Sequence, residues 1–256
     1  MVMSTTRFLQ VYIVQGILCA FMIYIGIKVL KRNPKKRLNQ IFSGFFFLSG
    51  AGAPIINFIY APIDLPELQS LVEFFNIFAY IVMTMGLIFL LLFILIIEKS
   101  EKVINTSKQI IIVVSYAVLL FLLYFMPDTA VVSIELDTIN YNPPAYVQKS
   151  PVWFPFSTAY VFIITTITLG LSIFFSLQVS RQFEDKELSK KWRYFIIGVI
   201  LLWSVALIIV VTNYLAPLIS PTDAIESTIR LVSGLIQLVL IAIGAYFTYY
   251  GVGKQV

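Results

Sequence analysis

The stretch K28-V-L-K-R-N-P-K-K-R37 decides how the rest of the chain is read. It holds six of the eighteen basic residues: Lys28, Lys31, Arg32, Lys35, Lys36 and Arg37. Long apolar runs flank it on both sides. In a water-soluble domain such a run is a solvated loop. Between two apolar runs it acts as a topological anchor, because Lys and Arg collect in the loops on the cytoplasmic face of a membrane. It is also a candidate contact for anionic lipid head groups.

The composition outside that stretch agrees with a bilayer setting. The chain has 256 residues, of which 59% are hydrophobic and only 12% charged, with a mean hydropathy of +0.92. Soluble domains carry about 25% charged residues, so this chain has too few to cover its surface in water. At roughly 20 apolar residues per helical crossing, the length fits one multi-span domain. The expected fold is an all-α membrane protein, a bundle of seven transmembrane helices forming a single domain over 1–256. Its spans fall at about 8–30, 38–60, 68–97, 108–126, 152–180, 191–216 and 225–250.

Local signals set the breaks. Asn33-Pro34 ends span 1, because a proline disfavours a helical residue before it. Small residues Ser49-Gly50-Ala51-Gly52-Ala53 precede Pro54 in span 2 and predict close helix contact with a kink. Pro127 ends span 4 and Pro217 closes span 6. The run from Arg181 to Arg193 reads as a mixed-charge loop, and Glu98 to Lys102 as a water-side end to span 3. The segment 127–151 differs in composition. Val131 to Leu136 alternates loosely, as a strand does, and Ala145 to Gln148 is expected to pair with it in a small extracellular hairpin between helices 4 and 5.

A charge count gives the orientation. With the 1–2, 3–4 and 5–6 loops and the C-terminal end on one side, that side carries fifteen of the eighteen Lys and Arg. Eight of the thirteen acidic residues fall on the other side. The positive-inside rule then predicts the N-terminus outside and the C-terminus inside. The expected location is the plasma membrane, as a multi-pass protein.

Function classes narrow by elimination. There is no histidine and a single cysteine, Cys19. The sequence therefore offers no His or Cys metal set, no His general base and no disulfide within the chain. It shows no Gly-rich phosphate loop of P-loop or Rossmann type. No catalytic residues, metal or cofactor are expected, and the chain is not read as an enzyme. The net charge of +5 sits in short inter-span loops, so membrane topology accounts for it and nucleic acid is not an expected partner.

Polar residues inside spans are costly in lipid and mark candidate sites. On span 3, Glu73, Asn76, Tyr80 and Thr84 recur at helical spacing. On span 7, Glu226, Arg230, Ser233, Gln237, Gly244 and Thr248 do the same. Glu73, Asn76, Tyr80, Arg230, Ser233 and Gln237 are the expected ligand-facing set, with Glu73 and Arg230 as an interhelical pair near the outer ends of their spans. Glu226 is an alternative partner for Arg230 at i,i+4 on one helix. Thr165, Thr168, Ser172 and Ser176 form a hydroxyl stripe expected to turn inward on span 5. Tyr60, Tyr146, Trp153, Trp192, Tyr194, Tyr249 and Tyr250 lie near span ends, where an interfacial aromatic belt is expected.

Three stretches carry a family resemblance: KRNPKKRLNQIFSGFFFLSGAGAPI from Lys31, SPVWFPFSTAYVF from Ser150 and RQFEDKELSKKWRYFIIGVILLW from Arg181. Together they resemble the seven-helix N-terminal sensor region of certain histidine kinases. The resemblance implies a receptor-like bundle that reads an external or membrane signal and passes it inward. In that family a cytoplasmic signalling module follows the seventh helix, whereas here the sequence runs only to Gly251-Val-Gly-Lys-Gln-Val256. Kinase catalysis is therefore not carried over, and a separate cytoplasmic partner is expected to receive the signal. The alternatives are an accessory subunit of a larger membrane complex, with other membrane subunits as partners, and a small transporter or channel. Membrane lipids are expected partners in every case.

Overall fold

The computed structural model describes residues 9–60, 69–100, 102–125, 131–133, 136–139, 145–148, 152–153, 155–219 and 223–253. Among these residues are seven helices long and apolar enough to cross a membrane, as expected of a multi-pass membrane protein. Span 1 is an α-helix over Gln15–Arg32, entered through a π-helical turn at Leu9–Val14. Span 2 runs Arg37–Phe45 as α-helix, Phe46–Gly52 as π-helix and Ala53–Tyr60 as α-helix. Span 3 is Gln69–Lys99 and span 4 is Thr106–Phe121 with a 3₁₀ turn at Leu122–Phe125. Spans 5 and 6 are Pro155–Gln182 and Lys186–Ile219. Span 7 is Asp223–Thr248, closed by a π-helical turn at Tyr249–Gly253.

The basic stretch forms the expected break. The helix stops at Arg32, and Asn33 is extended because Pro34 follows it. The turn is then tied internally. Asn33 Oδ1 accepts from the Lys35 backbone N–H at 3.2 Å, and Asn39 Nδ2 donates to the Asn33 carbonyl at 3.1 Å. Gln40 Nε2 donates to the Pro34 carbonyl at 2.8 Å.

Two sequence expectations are corrected at span boundaries. The run Arg181 to Arg193 is mostly helix, with only Phe183 to Asp185 between spans 5 and 6. Asp185 caps the new helix: its Oδ1 accepts from the Glu187 N–H at 2.8 Å, satisfying a donor that the first turn leaves open. Lys191 then pairs with Glu187 one turn on, at 3.6 Å. Pro217 does not close span 6, which continues to Ile219. A proline lacks the N–H for a backbone bond and its ring crowds the preceding turn, and the helix ends two residues beyond it.

Span 3 sits at the centre and packs on spans 2, 4 and 5, while span 5 continues to span 6 and span 6 to span 7. More than half of the membrane-crossing window is buried in spans 2 and 3, against about a third or less in the others. The small-residue segment of span 2 explains the close fit. At Gly50 an added Cβ would lie 2.6 Å from Met22 Cβ of span 1. Gly86 of span 3 lies directly against Ser49, whose Oγ donates to the Met83 carbonyl at 2.7 Å. Pro54 lacks an N–H and its ring crowds the preceding turn, and the wider π winding just before it relieves that conflict.

The deepest packing lies toward the basic end of the bundle. Phe42 and Phe93 stack with centroids 4.4 Å apart, and Phe195 of span 6 lies 6.4 and 6.1 Å from them. The loop between spans 1 and 2, the loop before span 4, the start of span 6 and the end of span 7 all gather at this end. Arg32 reaches Tyr249, Arg37 donates to Thr106 Oγ1, and Gly251 abuts the Lys191 carbonyl.

Between spans 4 and 5, residues 131–133 pair antiparallel with 152–153 and residues 136–139 with 145–148. The partner of 145–148 is thus 136–139, not the 131–136 run picked out by alternation. The turn expected at Tyr141-Asn142-Pro143-Pro144 lies outside the described residues.

Candidate functional site

The interior holds a polar seam distributed over three helices. On span 3, Asn76 and Thr84 are buried and Tyr80 is half-buried. Thr84 Oγ1 donates to the Tyr80 carbonyl at 2.8 Å, the local back-bond a hydroxyl makes within a helix. On span 5, Thr168, Ser172 and Ser176 are all buried, and Thr165 is half-buried. The Thr168 hydroxyl lies 3.1 Å from the hydroxyl of Tyr116 on span 4. Ser172 Oγ donates to the Thr168 carbonyl at 2.8 Å. The hydroxyl stripe therefore faces protein at three of its four positions, and Thr168 and Ser172 find there partners that lipid does not supply.

The six ligand-facing candidates lie on two helices. Asn76 and Tyr80 are on the inner face of span 3, while Ser233 is buried and Gln237 half-buried on span 7. The side chains of Glu73 and Arg230 lie outside the described residues, and so does the geometry of any pair between them or with Glu226. Spans 3 and 7 have different principal neighbours: span 3 packs on spans 2, 4 and 5, and span 7 packs along span 6 and against the end of span 1.

The basic end shows more defined chemistry. Lys28 and Arg32 are one turn apart on span 1 and both turn toward the ring of Tyr249 on span 7. The Lys28 Nζ is 5.7 Å and the Arg32 Cζ 5.5 Å from the ring centroid. Arg32 Nη2 donates to the Tyr249 hydroxyl at 3.1 Å, a contact spanning 217 positions of sequence. Lys28 Nζ donates to the Tyr24 hydroxyl at 3.3 Å and lies 5.3 Å from that ring. Tyr249 is buried, so its ring is a fixed platform. Beyond it, Gly251 sits against Phe195 of span 6, where a Cβ would come within 2.7 Å of the Phe195 Cβ. The end of span 7 is thus tied to spans 1 and 6 together. The other basic candidates divide: Arg37 bonds Thr106 across to span 4, and Lys31, Lys35 and Lys36 are exposed.

Three residues here take roles that sequence position alone did not suggest. Tyr249 reads as one of several belt aromatics, and only its contact with Arg32 sets it apart. Trp192 reads as interfacial but is 3% exposed, stacks on Phe195 at 4.8 Å, and donates from Nε1 to the Ser176 carbonyl at 2.7 Å. Its donor turns inward to that backbone carbonyl rather than outward to the interface. Glu98 reads as a water-side end of span 3, yet its side chain is 5% exposed and pairs with Lys99 at 2.6 Å.

Among the described residues no three metal-ligating side chains come together, and Cys19 is buried between spans 1 and 2, 3.9 Å from the Ala51 carbonyl. No protein-family model matches the chain, and no curated protein matches it.

Proposed function

We propose that the protein is a non-catalytic seven-helix sensor of the plasma membrane, with its N-terminus outside and its C-terminus in the cytoplasm. In this reading the 127–151 segment forms an external hairpin. An external ligand or a membrane state engages the polar faces of spans 3 and 7, including Glu73, Asn76, Tyr80, Arg230, Ser233 and Gln237. Helix movement then reaches a separate cytoplasmic partner through the start of span 6 and the end of span 7. The resemblance to the sensor region of histidine kinases points the same way.

The observation that carries the reading is the tie of the end of span 7 to two other helices, through Arg32–Tyr249 and Gly251–Phe195. A displacement of span 7 cannot occur without moving or breaking those contacts, which lie on the end richest in basic residues. A signal can act this way only if it binds the two helix arrangements unequally.

Gentle detergent extraction of the tagged protein, followed by identification of what co-purifies, tests it. The expected outcome is a soluble regulator whose retention falls in the Tyr249→Ala variant. Fixed-stoichiometry recovery with other membrane subunits and no soluble partner replaces the sensor with an accessory subunit. Solute flux through reconstituted protein replaces it with a transporter or channel.

A further inference from the structure

We propose that Lys28 and Arg32, positioned by Tyr24 and Tyr249, form a head-group site for an anionic phospholipid at the junction of spans 1 and 7. The site requires only that the protein spans a bilayer and does not depend on the sensor reading.

Two cations one helical turn apart repel each other, and here both converge on a single tyrosine ring. Ion pairs among the described residues join Glu98 to Lys99 and Glu187 to Lys191. Neither Lys28 nor Arg32 has a carboxylate partner among those residues, and their contacts are with neutral tyrosines. An ammonium has three donors and a guanidinium five, and one of each is used here. The remaining donors leave two adjacent cations able to share one anion.

Depth selects the anion. Lys28 and Arg32 occupy the last turn of the apolar stretch Tyr12–Arg32. Head-group phosphates lie at that level in a bilayer, and long basic side chains reach them by extending along the helix. Directly N-terminal, Ala20, Tyr24 and Ile27 are exposed and offer an apolar wall for an acyl chain. The buried Tyr249 ring fixes the cations in place, so less side-chain freedom is lost on binding. Topological anchoring alone asks for charge without this arrangement, and Lys31, Lys35 and Lys36 supply charge in exposed positions.

The test is lipid retention by the full chain in native mass spectrometry, from micelles doped with phosphatidylglycerol or phosphatidylcholine. Wild type is expected to retain phosphatidylglycerol in preference. The double variant Lys28→Gln/Arg32→Gln should lose that preference by about tenfold, roughly the scale of one charge-assisted hydrogen bond. The double variant Lys35→Gln/Lys36→Gln removes the same charge from the adjoining turn and should keep it. Tyr249→Leu retains both cations but removes their platform, and should weaken retention even if the charge variant fails to insert. Equal loss in both double variants overturns the site in favour of diffuse attraction, as does full retention in Tyr249→Leu. Glycerol phosphate in solution should leave thermal stability unchanged. If it stabilises the protein as phosphatidylglycerol does, the ligand is a free phosphate and the lipid assignment fails.

Discussion

Replacing Gly86 with alanine tests the packing of the central helix most directly. A Cβ at Gly86 falls 2.6 Å from the Ser49 backbone nitrogen and 2.9 Å from the Ser49 Cβ. The backbone cannot rotate away as a side-chain tip can. To reach ordinary contact, spans 2 and 3 must separate locally by about 0.8 Å, a gap that forfeits roughly a quarter to a half of the dispersion between facing atoms. Overpacking of this kind costs about 1–3 kcal/mol. The Ser49 Oγ bond to the Met83 carbonyl, now 2.7 Å, stretches with the helices and costs about 0.6 kcal/mol more. Alanine returns up to about 1 kcal/mol of helix propensity. The net expectation is a loss of about 2 kcal/mol, or roughly thirtyfold in the folded-to-unfolded ratio. Gly170 of span 5 is the control, because nothing lies within 4 Å of its added Cβ. Gly170→Ala should be neutral or slightly stabilising. The assay is unfolding in mixed micelles with increasing sodium dodecyl sulfate, followed by circular dichroism. Equal stability of the two variants refutes the close contact of spans 2 and 3.

Ser100 adopts φ 75° just after span 3, a left-handed conformation that costs a non-glycine residue about 1 kcal/mol. Ser100→Gly should raise stability by about that amount in the same assay, and a loss contradicts the assigned turn. Asp185→Ala removes the cap of span 6 and should cost about 1 kcal/mol, with Asp185→Asn recovering most of it; no difference between the two rules the cap out. Cys19 is buried in the apolar contact of spans 1 and 2, so a maleimide should label the folded protein far more slowly than the unfolded one. Rapid labelling of the folded protein, read by mass shift, shows that those spans do not pack as described.

The spans were legible because lipid demands long apolar helices, and little else fits between Lys28–Arg37 and the later charged loops. The gathering of basic segments at one end also followed from counting loops. Boundaries were harder. The run 181–193 looks like a loop by charge, and only the cap at Asp185 reveals that most of it is helix. Span 2 shows its close contacts in its glycines but not its change of winding. The candidate site was legible in part: hydroxyl spacing on span 5 announces its inward face, while Asn76 and Ser233 are buried on different helix neighbourhoods. Tyr249 was not legible, because its partner Arg32 lies 217 positions away and no local pattern distinguishes it from Tyr250.

The winding of span 2 has a geometric consequence. Phe42, Phe46, Gly50 and Pro54 follow one another at intervals of four, and all four are buried. In an unbroken α-helix each such step drifts about 40° around the axis, so the last would point about 120° away from the first. The π-helical stretch Phe46–Gly52 turns less per residue and takes that drift back. Span 2 therefore holds one constant azimuth toward its neighbours over three turns, as a straight rail does. A helical wheel drawn with a single period misplaces the residues that follow the π-helical stretch, Ala53–Tyr60.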